Sequence, residues 1–155
     1  MADLYGMINV PTILWIDEEG RIARPNDVAF GSNDFKEMTG IDSEAHLERL
    51  RAWVRGEGPA MTPAETRAAQ TLPTAAEQEA RAEFTLAWWL SQQGHAEDAE
   101  PHYVRAGELA PHDFTIRRGS MPIRGLDPMG DDFMKIVTEW SEAGNAFYRP
   151  IETPA

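Results

Sequence analysis

Apolar and polar positions alternate along this chain in three different rhythms, and each predicts a different kind of element. From Ile13 to Ile16 four apolar residues run together, Asp17-Glu18-Glu19-Gly20 supplies turn residues, and Arg21 to Arg24 alternates before Pro25-Asn26. A short apolar run, an acidic turn with glycine and an alternating run together predict a β-hairpin. After a stretch rich in Gly, Asn and Asp, Asp42 or Ser43 can cap a helix. Leu47, Leu50, Trp53 and Val54 fall on one face of it, and Gly56 is placed to end it.

Residues 56 to 74 hold Gly56, Gly58, Pro59, Pro63 and Pro73, which mark a connection with one helical turn from Ala64 to Gln70. Thr74-Ala75-Ala76-Glu77 then fits a capping box and opens a helix that runs to about Gln93. Further on, Phe133, Ile136, Val137 and Trp140 recur at helical spacing, with Asp131 or Asp132 to cap and Gly144 to terminate. The expected division is 1–58, a linker at 59–74, and a helical part at 75–155.

Two resemblances follow from these residues. Asn9-Val10-Pro11-Thr12 leading into an apolar strand, an acidic turn, a second strand and a helix resembles the C-terminal half of a thioredoxin-like redoxin of the thiol-disulfide and peroxiredoxin type, over about residues 3 to 56. The resemblance implies a cis bond at Val10-Pro11 and a peptide-contacting loop at Val10, Pro11 and Thr12. The half that carries the family's cysteines would precede Met1. Without it, the strand Ile13, Leu14, Trp15, Ile16 has one bare side, and an unpaired apolar edge invites pairing with another chain. These four residues are therefore an expected interface, covered by a second copy or by a segment folding back.

The second resemblance is to one tetratricopeptide repeat over about residues 80 to 113. Leu86-Ala87 stands where the repeat has Leu-Gly, Leu90 at its aromatic position, Ala99 and Tyr103 at its Ala-x-x-x-Phe, and Pro111 at its closing proline. Glu83 departs from the repeat's first Trp, and Pro101 lies inside the second helix, where it removes a backbone bond or forces a kink. One repeat cannot bury its own apolar face, so the helix around Phe133 is expected to pack on it. The whole order resembles the tail of bacterial redoxins with a helical extension. The fold class expected is α+β: a thioredoxin-like half of hairpin plus helix, joined to a small helical bundle with one tetratricopeptide-like hairpin.

Composition narrows the chemistry. The chain has 155 residues with no cysteine, which excludes disulfides, thiolate nucleophiles and a dithiol cycle within this polypeptide. With 26 Asp plus Glu against 14 Lys plus Arg, its formal charge of −12 repels phosphate backbones and anionic headgroups, so nucleic acid and membrane surfaces are not expected partners. No apolar run reaches the roughly 20 residues of a membrane span, and no signal peptide pattern opens the chain, so a cytoplasmic protein is expected.

Candidate sites are few. His95 and His102 are seven positions apart rather than three or four, and His112 lies beyond their helix, so surface histidines are expected and no metal. Arg117, Arg118 and Arg124 form the one concentrated basic stretch. They can bind an acidic ligand, but pairing with the chain's own carboxylates is the expected role. The carboxylates at Asp17, Glu18, Glu19, Asp127, Asp131 and Asp132 lie at turns and helix starts, which are solvated positions unsuited to a tuned acid or base. Of Trp88 and Trp89, adjacent on a helix, one is expected to face outward as a contact surface. The expected function is a non-catalytic binding or assembly module without cofactor, acting through protein or peptide contacts and self-association into a homo-oligomer. The alternative is the C-terminal part of a thiol-disulfide oxidoreductase or peroxiredoxin-like enzyme, with its cysteines upstream or in a partner chain.

Overall fold

In the computed structural model, residues 5–58 and 61–151 are described, and they form one two-stranded antiparallel sheet and seven helices. Strand β1 is Ile13–Ile16 and β2 is Ile22–Asp27. The helices are α1 (Lys36–Thr39), α2 (Ser43–Val54), α3 (Pro63–Ala69), α4 (Ala75–Gln92), α5 (Ala96–Leu109), α6 (Phe114–Ser120) and α7 (Asp131–Glu142). The chain divides into two units: residues 10–71 with 148–155, and residues 1–9 with 72–147. Compared with the linear division, residues 5–9 and 148–151 change places, and the expected linker is divided, with 61–71 in the hairpin unit and 72–74 in the helical one. Helix α3 packs on β2, with Thr66 buried and its hydroxyl donating to the Ala23 carbonyl at 3.3 Å.

In the hairpin unit the acidic turn works as its residues suggest. The Asp17 carboxylate accepts from the backbone N–H groups of Glu19 at 3.1 Å and Arg21 at 2.8 Å, closing the loop around Gly20. Strand β2 continues through Pro25 and Asn26 to Asp27, past the expected stop. The pairing is irregular on either side of Trp15, which faces Arg24. Proline is tolerated because the sheet has only two strands and the irregularity removes the need for a regular ladder. Asp42 caps α2 through the Ala45 N–H at 3.0 Å, and Gly56 ends it in the left-handed region at φ 70. The buried residues of α2 are Ser43 and His46, while Val54, expected on the apolar face, is exposed.

The helical unit is organised by the α4–α5 hairpin. Thr74 and Glu77 form the capping box at the start of α4. At its end Gly94 takes φ 84, and the His95 N–H donates back to the Leu90 carbonyl at 3.0 Å. That left-handed turn is open to glycine without penalty and reverses the chain in three residues. Ala80, Ala87, Ala99 and Ala106 are buried between the helices, and their small side chains permit close approach around Phe84 and Tyr103. Pro101 sits inside α5 without ending it; the carbonyl it leaves unpaired belongs to exposed Glu97, where water can serve it. Glu83, the residue that departs from the repeat pattern, pairs with His102 across the hairpin at 2.5 Å.

Between the α4–α5 hairpin and α7 the chain forms the short helix α6. Asp113 caps α6 by accepting from the Thr115 and Ile116 N–H groups at 2.9 and 3.2 Å. Helix α7 starts at Gly130 without a side-chain cap, so Asp131 and Asp132 lie in its first turn instead. Phe133 forms a core with Phe114 and Met121, joined by Ile136, Val137 and Trp140. The third helix thus packs on α6 rather than mainly on the hairpin. The segment before residue 10 is held here: the Phe114 N–H donates to the Ile8 carbonyl at 2.8 Å, and Asn9 Nδ2 donates to the Phe147 carbonyl at 3.0 Å.

Candidate functional site

The Val10-Pro11-Thr12 loop enters β1 in the hairpin unit. Its Val10–Pro11 peptide is cis, the Val10 side chain is exposed, and the Val10 carbonyl accepts from Tyr148 Oη at 3.3 Å. Along β1, Ile13 and Leu14 are half-buried and Ile16 is exposed. Trp15, grouped by sequence with the interface residues, is a core residue at 6% exposure. On the side of β1 away from β2, no described backbone group pairs with Ile13 to Ile16.

Beneath the loop lies a buried polar network that the sequence reading missed. Trp15 stacks on Trp53 at 5.3 Å and meets the Arg24 guanidinium over its ring at 5.4 Å. Its indole Nε1–H donates to His46 Nε2 at 3.3 Å. Since an indole N–H only donates, Nε2 is the acceptor and the proton of the neutral ring sits on Nδ1. Nδ1 lies 3.4 Å from Asp27 Oδ2 without an aligned hydrogen bond. Arg24 Nε donates to that oxygen at 2.8 Å and Nη2 lies 2.8 Å from it, while Oδ1 accepts from the N–H groups of Val28 at 2.8 Å and Ile151 at 2.9 Å. Burial pushes the Asp27 carboxyl up, but the contacts from His46, Ile151, Arg24 and Val28 outweigh it and hold it well below the usual carboxylate range. With residues 148–151 in place, Arg24, Asp27 and His46 are each at most 3% exposed, and the network fixes the strand under the loop. Its members come from β1, β2 and α2, so no local spacing signals it.

In the helical unit Trp88 and Trp89 are both about half exposed, at 47% and 52%, against the expectation that only one would face outward. Ala87, just before them, takes the buried position, and the next two residues turn about 100° and 200° away from it, so both indoles reach solvent. Leu86, three residues before Trp89, is also exposed and extends the apolar face.

The arginines separate. Arg124 is bidentate to Glu100, with Nε at 2.8 Å and Nη2 at 2.5 Å, which is the intrachain pairing expected. Arg117 donates instead to the Pro111 carbonyl at 2.9 Å, and partial burial lowers its pKa. Arg118 donates to the Pro128 carbonyl at 2.9 Å and lies over the Phe133 ring. Arg117 and Arg124 line one open groove of about 340 Å³ with Tyr103, Glu108 and Ile136; Arg118 does not. Each histidine of this unit faces a carboxylate: His95 faces Asp98 at 3.6 Å and His112 faces Glu77 at 2.6 Å, besides the His102 pair. Among the described residues no group of three potential ligands gathers for a metal ion, and no helix is long and apolar enough to cross a membrane.

Comparison of the chain with protein-family models, with curated proteins and with solved structures finds no match.

Proposed function

We propose that this chain is a non-catalytic binding or assembly module, with a thioredoxin-like half-domain and a tetratricopeptide-like helical hairpin, that works through protein contacts and self-association. The observation that carries the reading is the outer edge of β1. Among the described residues nothing pairs with it, and a two-stranded ribbon with one open edge is marginal by itself and a template for another strand. The Val10-Pro11-Thr12 loop beside it and the exposed Trp88 and Trp89 are the peptide and protein contacts of this reading. The absence of cysteine from the sequence agrees with a binding role for this chain.

Sedimentation across the micromolar range tests it. The expected mass is a multiple of 17.3 kDa that falls to the monomer in Ile16→Lys, a charge placed on the exposed end of the edge. A wild-type monomer throughout removes the self-association.

The same open edge also suits a second reading, in which the chain is the C-terminal part of a thiol-disulfide oxidoreductase or peroxiredoxin-like enzyme and an upstream segment supplies both the missing strand and the cysteines. Coding DNA that continues upstream of Met1, in frame, into a Cys-x-x-Cys segment decides for it.

A further inference from the structure

The segment Tyr148–Ile151 lies on the hairpin unit and is attached there at three points. Tyr148 Oη donates to the Val10 carbonyl at 3.3 Å, its ring stands edge-on to Phe30 at 5.7 Å, and the Ile151 N–H donates to Asp27 Oδ1 at 2.9 Å. Between these anchors Arg149 and Pro150 are exposed. A proline has a fixed φ and biases the residue before it toward extended backbone, which favours a stretched tetrapeptide over a turn.

The two polar anchors ask different things of whatever lies there. Val10 belongs to the exposed loop, and its carbonyl takes a side-chain hydroxyl. Asp27 Oδ1 is the oxygen that Arg24 leaves open, and it takes a main-chain N–H, a group that almost every residue has. Ile151 itself is half-buried. The surface therefore reads an aromatic hydroxyl first and a main-chain N–H three positions later.

We propose that this surface recognises extended peptides carrying tyrosine followed three residues later by a residue with a main-chain N–H, and that the chain's own Tyr148–Ile151 is its resident occupant. The inference rests on the peptide-binding reading above for its outside partner; the occupancy itself stands on the three attachments. A tethered occupant acts at an effective concentration on the order of millimolar, so it excludes weaker free peptides and yields to tighter ones.

The test uses full-length protein and a labelled probe peptide, Ala-Phe-Tyr-Arg-Pro-Ile, with blocked ends. Tyr148→Phe combined with Ile151→Pro removes the hydroxyl and the N–H while leaving the aromatic and apolar bulk. This variant is expected to bind the probe at least tenfold more tightly than wild type, and a probe with Phe for Tyr less well. In wild type the Ile151 amide should exchange at least tenfold more slowly than in Tyr148→Phe. An Ile151 amide exchanging at the rate of a free peptide, or equal probe binding by both proteins, overturns the occupancy. Protection of Ile151 and probe capture by the variant, with no foreign peptide bound from a random library, keeps the occupant and removes the outside partner. Library peptides captured at the loop alongside an unprotected Ile151 do the reverse.

Discussion

Trp15 and His46 are joined through the core of the hairpin unit: the indole N–H donates to the imidazole at 3.3 Å, edge against face with centroids 5.5 Å apart. The pair ties β1 to α2, and through His46 it extends to Asp27 at the end of β2. Three elements that are otherwise a short ribbon and a helix thus share one anchored centre. His46→Ala leaves the indole N–H without an acceptor in a dry site and opens a cavity beside it. An orphaned buried donor costs about 1–3 kcal/mol, and lost packing adds to it, so a fall in unfolding free energy of about 3 kcal/mol is expected by urea titration. His46→Gln, which restores an acceptor near the same place, should recover part of the loss.

Asp27 makes this centre sensitive to acid. Its folded-state pKa is depressed, so it contributes stability above the ordinary carboxylate value of 3.8. That contribution is lost as pH falls below this value toward the folded-state pKa. Stability followed by denaturant titration should therefore drop on acidification below the ordinary carboxylate range, and Asp27→Asn should flatten that limb. The variant is also expected to be less stable at neutral pH by about 3–5 kcal/mol, because it breaks the buried Arg24–Asp27 ion pair from one side.

The elements whose signals are local were legible in the sequence. The Thr74–Glu77 capping box, the Asp42 cap and Gly56 are each written in adjacent residues, and each stands where its spacing predicts. What could not be read depends on residues far apart in the chain. Arg24 and His46 look like surface or helix-face residues until Asp27 brings them to one carboxylate, and nothing in the pattern of residues 148–151 announces the return to Val10 and Asp27. Helix α6 was hidden for a different reason: its seven residues include Gly119 and two arginines, too short and too polar for a periodic signal, and its cap Asp113 is recognised only by the N–H groups it accepts from.

Trp89 offers a separation of stability from contact. Its indole is 52% exposed, so Trp89→Ala should change unfolding free energy by no more than about 0.5 kcal/mol. If the outer face of α4 is a contact surface, the same substitution should weaken capture of protein partners or reduce the sedimenting mass. An unchanged mass and unchanged capture would assign that face to solvent.

Asp113 gives the helical unit the opposite response to acid. Burial pushes its carboxyl up, and the hydrogen bond from Thr115, the charge of Arg81 and the N–H groups of Ile116 and Thr115 only partly offset this, so its pKa lies above the ordinary 3.8. A raised carboxyl pKa means the folded state binds the proton more readily, so this group's contribution improves as pH falls through that raised value. Asp113→Asn keeps an oxygen to cap α6 but removes the titration, and it should therefore steepen the loss of stability on acidification where Asp27→Asn flattens it. Asp113→Ala also removes the cap and one of the acceptors of Arg81, which donates to Asp113, to Thr115 Oγ1 and to the Met7 carbonyl. It is expected to cost about 0.5–2 kcal/mol more than the Asn variant at neutral pH, the size of a lost helix cap, in the same urea titrations.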